Sequence, residues 1–199
     1  MSTTADTPTV VMPADWVVGP AQGRWTYKEY IALLEDGLHY EVMDGVLLVA
    51  PSPGPAHQAI SGKLFRYLAQ YVDDLGTGKV FYAPLDVELT PYRVFQPDLF
   101  VLLNESLGKI TASHIVGAPD LVVEITSPGT AAYDRLSKFE AYAQAGIAEY
   151  WIVNPKTSSI EVLWLQGKTY VSQGVFKGDK DLPSRVVPEV RNVRVEQIF

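Results

Sequence analysis

The runs Gln96-Pro97-Asp98-Leu99-Phe100-Val101-Leu102-Leu103 and Ala118-Pro119-Asp120-Leu121-Val122-Val123-Glu124-Ile125-Thr126-Ser127-Pro128 decide how this chain is read. Both are apolar, strand-like stretches that carry a carboxylate. Asp98 stands at the mouth of the first, and Glu124 occupies a position in the second where Val, Leu or Ile is expected. Desolvating an unpaired carboxylate is costly, so a residue such as Glu124 has either a partner or a task. By strand alternation Asp98 shares a face with Phe100 and Leu102, and Glu124 shares one with Val122 and Thr126. If the two strands are neighbours, both acids point into one cleft. Such a pair suits Mg²⁺, which takes oxygen ligands and keeps several waters, with Mn²⁺ as a substitute. The alternative is that each acid is paired with an Arg or Lys at the rim of the sheet.

After Pro128 comes a helix from about Thr130 to Ala145, stopped by Gly146. On a helical wheel its apolar side is Tyr133, Leu136, Phe139 and Ala143, with Asp134 and Lys138 on the far face. Asp four residues before Lys is an ordinary surface pair. In the other reading that face overlooks the carboxylate cleft, where the Lys138 ammonium orients a water or stabilises charge on a phosphate oxygen.

Earlier in the chain, Thr26-Tyr27-Lys28-Glu29 has capping-box spacing and starts a short helix through Leu33 and Leu34 to Gly37. Tyr40 to Val49 reads as a β-hairpin turning at Asp44-Gly45. Glu41, at its opening, is either an exposed strand end or a group at the cleft. From Ala56 to Leu75 the apolar spacing is helical, through Ile60, Leu64, Leu68 and Tyr71. His57 begins that helix on the face of Ile60 and Leu64. It is read as a packed core residue or as a group reaching the cleft across the Pro-rich turn. Lys79 to Glu88 and Arg93 to Leu103 are expected to be two strands. Glu149 to Val153 is another, and Ile160 to Leu165 with Thr169 to Val171 form a hairpin. The stretch from Val186 to Phe199 is expected to be a strand or tail completing the sheet. This order of elements predicts an α/β domain with a mixed sheet.

The 199 residues, 47% of them hydrophobic, fit one domain that buries roughly 70% of its unfolded surface. Residues 1–23, rich in Thr, Ala, Pro and Gly, are expected to be a flexible arm or to pack on a partner subunit, and residues 24–199 to be the domain. Cysteine is absent, which excludes disulfides and thiolate sites. No apolar run approaches the roughly 18 residues of a membrane span, and no leader pattern opens the chain, so the expectation is a soluble, cytoplasmic protein without a membrane partner. The net charge of -7 argues against a surface coated in phosphate-binding cations, while leaving room for a local basic groove. A cleft lined by Lys63, Arg66, Arg93, Arg135 and Lys138 would favour nucleic acid. The Trp and Tyr content of the later strands points to a homodimer.

Six segments in order resemble the Uma-two family of restriction-endonuclease-like proteins, within the PD-(D/E)XK nuclease superfamily. They are Tyr40 to Gly45; Ser52-Pro53 with His57; Gln96 to Leu99; Val123 to Pro128; Tyr133 to Lys138; and Ala145 to Pro155. The resemblance covers roughly Trp25 to Val171. It implies a restriction-endonuclease-like core, a central mixed sheet flanked by helices, with Asp98 and Glu124 as metal-binding acids. It also implies Glu41 and His57 at the edge of the site and DNA as the substrate. The superfamily's lysine stands two residues after the glutamate, which here is Thr126, so the resemblance moves that role to Lys138. The expected activity is Mg²⁺-dependent hydrolysis of DNA. A non-catalytic binding or assembly module on the same fold is the alternative, and hydrolysis of a small phosphoester is a third reading.

Overall fold

Asp44 and Gly45 both take positive φ (50° and 76°), which suits the tight turn between β2 (His39–Met43) and β3 (Val46–Ala50). A Cβ on Gly45 would lie 2.6 Å from the Gly23 backbone, because Gly45 O accepts hydrogen bonds from Gly23 N and Trp25 N. That contact ties the N-terminal segment to the hairpin. A computed structural model describes residues 9–33 and 36–199. Within the expected arm, β1 (Met12–Pro13) pairs with β3 and Ala14 is buried; residues 1–8 lie outside the described residues. The helix α1 (Tyr27–Tyr30) begins at the predicted capping box, where Thr26 N donates to Glu29 Oε2 at 3.1 Å; Leu34 is also outside the described residues.

The long helix α2 (Pro55–Val72) has Pro at its first turn and buries Ile60, Leu64, Leu68 and Val72, as their spacing requires. The two strands expected next are each split. β4 (Gly78–Tyr82) and β5 (Val87–Thr90) lie in different sheets, as do β6 (Arg93–Phe95) and β7 (Leu99–Leu103). The crossings, at Ala83-Pro84 and Gln96-Pro97, are bonded together by Ala83 N donating to Asp98 O at 3.2 Å. Proline has no N–H to give a ladder, so a strand cannot pass through it unbroken in mid-sheet.

The remaining elements are β8 (Ile115–Val116), β9 (Leu121–Ile125), α3 (Ala131–Tyr133), α4 (Phe139–Ala145), β10 (Glu149–Asn154), β11 (Ser159–Gln166) and β12 (Thr169–Lys177). A π-helical turn, Asp134–Lys138, joins α3 to α4, and Gly146 at φ 86° ends the helix as predicted. One sheet has the order β1-β3-β2-β6-β5-β8, and the other β12-β11-β10-β9-β7-β4. Both are mixed: β5–β8 is the parallel ladder of the first and β9–β10 that of the second. The α/β class and its flanked mixed sheet are as expected, with a second sheet beside the first.

The second sheet is apolar on both faces, so it must be covered twice. On one face Val101, Val123, Ile125, Trp151 and Val153 pack under α2. The rest of that cover is the C-terminal stretch, with Leu182, Val187, Val190, Val193, Val195 and Ile198 buried. Of the strand or tail expected there, that stretch is a tail and adds no strand to the sheet. Two 3₁₀ turns, Pro188–Asn192 and Val195–Gln197, fold it across the core, and Pro188 bars a ladder. On the opposite face Phe100, Leu102, Val122, Tyr150 and Ile152 meet Ala141 and Tyr142 of α4 and Phe95 of the first sheet. The aromatic residues behind the homodimer expectation face inward here: Tyr150, Trp151 and Tyr170 are buried.

Candidate active site

The two acids meet through strand register. In the antiparallel β7–β9 ladder Leu99 pairs with Val123, Phe100 with Val122 and Val101 with Leu121. Continuing that register by one step sets Asp98 opposite Glu124. Directly opposed residues share a face with Cβ atoms about 5 Å apart, and like charges so placed repel. The same face carries Phe100 and Val122, and it turns toward the α3–α4 helical segment and the first sheet. Asp98 Oδ2 accepts from Ile125 N at 2.7 Å and bonds His57 Nε2 at 3.1 Å. His57 thus reaches the cavity across the Pro-rich turn from the start of α2.

Glu124 and Glu41 share one cation. Lys138 Nζ lies 2.9 Å from Glu124 Oε1 and 3.0 Å from Glu41 Oε1, with all three side chains buried. Glu41 Oε1 also accepts from Gln96 N at 3.0 Å, and Tyr142 Oη donates to Glu124 Oε1 at 2.6 Å. The Lys138 ammonium further lies 5.4 Å from the Tyr133 ring and 5.9 Å from the Phe95 ring. The surface-pair reading of Asp134 and Lys138 is thus overturned: both are buried, while Leu136, assigned to the apolar side, is 67% exposed. Residues 134 and 138 share a face, as residues four apart do on a helix, and across the π turn it is this face that turns inward, which leaves residue 136 outside.

Burial and electrostatics oppose one another in this cluster. Burial raises the pKa of Glu124 and Lys138 draws it back, but Asp98, Asp134 and Glu41 add repulsion and leave it well above the usual carboxylate range. Burial alone would lower Lys138, yet Glu124, Glu41 and Asp134 hold it above its ordinary value and keep it charged. Desolvation likewise raises Asp134 despite the nearby lysine. For His57, burial works against the proton, but the bond and charge of Asp98 outweigh it and the pKa rises.

These groups line a single cavity of about 100 Å³, together with Gln96, Thr130 and Tyr133. It contains four carboxylates (Glu41, Asp98, Glu124 and Asp134) against one lysine. Of the five cations proposed for a nucleic-acid cleft, Lys138 alone lines it. Arg93 is bound to Asp44 and Gln144, and Arg135 to Glu161. Thr126 is not in the lining; its hydroxyl donates to Val153 O at 3.1 Å. The lysine-bearing position of the superfamily is therefore outside this cavity, and Lys138 is inside it.

The donor set fits a hard divalent ion. Asp98 Oδ1 and Glu124 Oε2 receive no hydrogen bond from any described residue, and neither is sealed from solvent. His57 Nδ1 and Tyr133 Oη, also in the lining residues, are enclosed without a partner. Among the described residues no third His, Asp or Glu converges with these two acids into one donor cluster. That count suits Mg²⁺, which is held by one or two carboxylates with water and substrate oxygens completing its shell.

Tyr142 escaped the sequence reading, and Asp134 entered it only as the neighbour of Lys138, without a role of its own. Their signal was the stripe 134, 138 and 142 at four-residue spacing, with small Ala141 and Ala145 beside it, which marks a face packed close to a neighbour.

Residues 27–196 match the Uma2 family, described as "Putative restriction endonuclease". An uncharacterised protein of Synechocystis sp. (strain ATCC 27184 / PCC 6803 / Kazusa) is 28% identical over 120 residues, 60% of this chain. The chain spans about 62% of the length of that relative. A crystal structure of a "putative nuclease belonging to DUF820" from Anabaena variabilis ATCC 29413 has the same fold, with a TM-score of 0.74 at 20% identity, over 87% of this chain and 97% of that one. With the family match running from α1 into the last C-terminal turn, this chain belongs to the Uma2 family of restriction-endonuclease-like proteins.

Proposed function

We propose that this protein is a Mg²⁺-dependent endonuclease that hydrolyses phosphodiester bonds in DNA. One observation carries the reading: Asp98 and Glu124 stand opposite each other in strand register, in one cavity, each with an oxygen left unbonded. Asp98 and Glu124 would hold the ion, Mg²⁺ or Mn²⁺. Such an ion polarises a phosphoryl oxygen and lowers the pKa of water at neutral pH. His57 orients Asp98 through Nε2, while Glu41 and Glu124 fix the Lys138 ammonium within the lining. Held there, Lys138 stabilises negative charge developing on the phosphate oxygens. DNA as partner, a cytoplasmic setting and a homodimer belong to the same proposal; sedimentation tests the last.

The test is cleavage of supercoiled and linear DNA with Mg²⁺ or Mn²⁺. Asp98→Asn and Glu124→Gln should each lower the rate by about 10²–10³ or more with the circular dichroism spectrum unchanged. Unchanged cleavage in either variant removes the site. The excess of acids over cations in the lining favours a second reading, a binding module without catalysis, since DNA affinity rests on cation–phosphate contacts. DNA binding without metal-dependent cleavage would decide for it.

A further inference from the structure

Three of the cavity's four carboxylates have partners: Asp98 has His57, and Glu41 and Glu124 share Lys138. Asp134 is different. Its residue is only 3% exposed and forms no ion pair with any described residue; its polar neighbour is the Thr130 hydroxyl, which favours the ionised acid. That hydroxyl also accepts from Ser127 N at 3.0 Å and from Ser127 Oγ at 3.3 Å. The backbone of Asp134 is fully engaged, its N–H given to Thr130 O and its carbonyl accepting from Tyr150 Oη at 3.1 Å, so the residue's position is fixed while its acid has no ion-pair partner of its own. A mostly buried carboxylate without a counter-charge of its own is costly to ionise. Asp134 also begins the π turn, a device found often at functional sites.

Building on the nuclease reading above, we propose that Asp134 is the general base of the reaction, accepting the proton of the water that attacks phosphorus. The balance is simple. A water O–H bond breaks and its proton passes to the Asp134 carboxylate. The hydroxide oxygen bonds phosphorus, and the bond from phosphorus to the leaving oxygen breaks. That alkoxide takes a proton from solvent, and Asp134 returns its own to solvent. The other acids are poorly suited: Glu41 and Glu124 are bound to an ammonium, and Asp98 to an imidazole and a backbone N–H. Burial and the neighbouring acids also make Asp134 a stronger base than a solvated aspartate.

The experiment compares wild type with Asp134→Asn by three readouts: thermal midpoint without metal, the shift of that midpoint on adding Mn²⁺, and DNA cleavage. The proposal expects a midpoint equal to or above wild type, an unchanged Mn²⁺ shift, and kcat lower by about 10² or more with KM within a few-fold. A midpoint lowered in both Asp134→Asn and Asp134→Ser, or a lost Mn²⁺ shift, makes Asp134 structural or a metal ligand and overturns the role. So does a kcat within a few-fold of wild type, which leaves the nuclease reading standing. Asp134→Ser, smaller and uncharged, repeats the comparison should the Asn variant pack badly. A wild type that cleaves no DNA with either metal overturns the nuclease reading, and the proposed base with it.

Discussion

Lys138 is the residue whose removal says most about the site. Its ammonium sits between Glu124 and Glu41, so Lys138→Met does more than erase a charge: it strands two buried carboxylates. Breaking a buried pair in this way costs about 3–5 kcal/mol. We expect a lower midpoint for the metal-free variant, regained in part at acidic pH, where the stranded acids protonate, and in part with Mn²⁺, which supplies the missing charge. Cleavage should fall by about 10²–10³ even where stability is regained. A variant as stable as wild type at neutral pH without metal would contradict this arrangement. At the same scale, Asp98 and Glu124 were legible because a carboxylate in an apolar strand breaks the pattern around it. Asp134 was not, because an Asp–Lys pair at four-residue spacing on a helix is indistinguishable by pattern from a solvated one.

Among the elements, the helical segment after β9 departs most from its pattern. A regular wheel places Leu136 in the core, where truncation to Ala would cost about 2–5 kcal/mol. In the structure Leu136 lies on the outer side of the π turn and is exposed, so Leu136→Ala should change stability by no more than about 0.5 kcal/mol, measured by denaturant unfolding. The hairpin, α2 and the stop at Gly146 were readable because each rests on local chemistry: a turn pair, an apolar stripe, a left-handed cap. The π turn and the division of two long strands between sheets were not. A π turn has no residue signature of its own, and Pro84 and Pro97 mark a break without saying which sheet receives the chain next.

For the molecule as a whole, the buried acids give stability an unusual dependence on pH. Burial first, and repulsion among the carboxylates after it, raise Glu124 to about 8 and Asp134 to about 6, and burial also raises Glu149. A group whose folded pKa lies above its unfolded one contributes stability at low pH and loses it as pH climbs through the folded value. The raised pKa of His57 acts in the same direction. Metal-free protein should therefore become more stable as pH falls from about 8 toward about 5, by about 1.4 kcal/mol per pH unit for each proton taken up. With saturating Mg²⁺ the trend should flatten, since the ion favours the ionised acids. Thermal midpoints across that range, with and without metal, check both statements; a metal-free midpoint that falls steadily on acidification contradicts them.

The fold of residues 182–199 across the core also has a consequence for synthesis. Glu149, at the start of β10, accepts from Trp151 Nε1 and from the backbone of Arg185 and Val186, anchoring a stretch that carries six buried side chains. On the ribosome, both acids of the β7–β9 pair and Lys138 emerge long before that cover exists. Until Ile198 has been made, one face of the central strands has only α2 to shelter it. The nascent chain thus exposes an apolar face of the sheet, opposite the one that carries Asp98 and Glu124, and has reason to stay bound to chaperones until translation has passed the C-terminal turns.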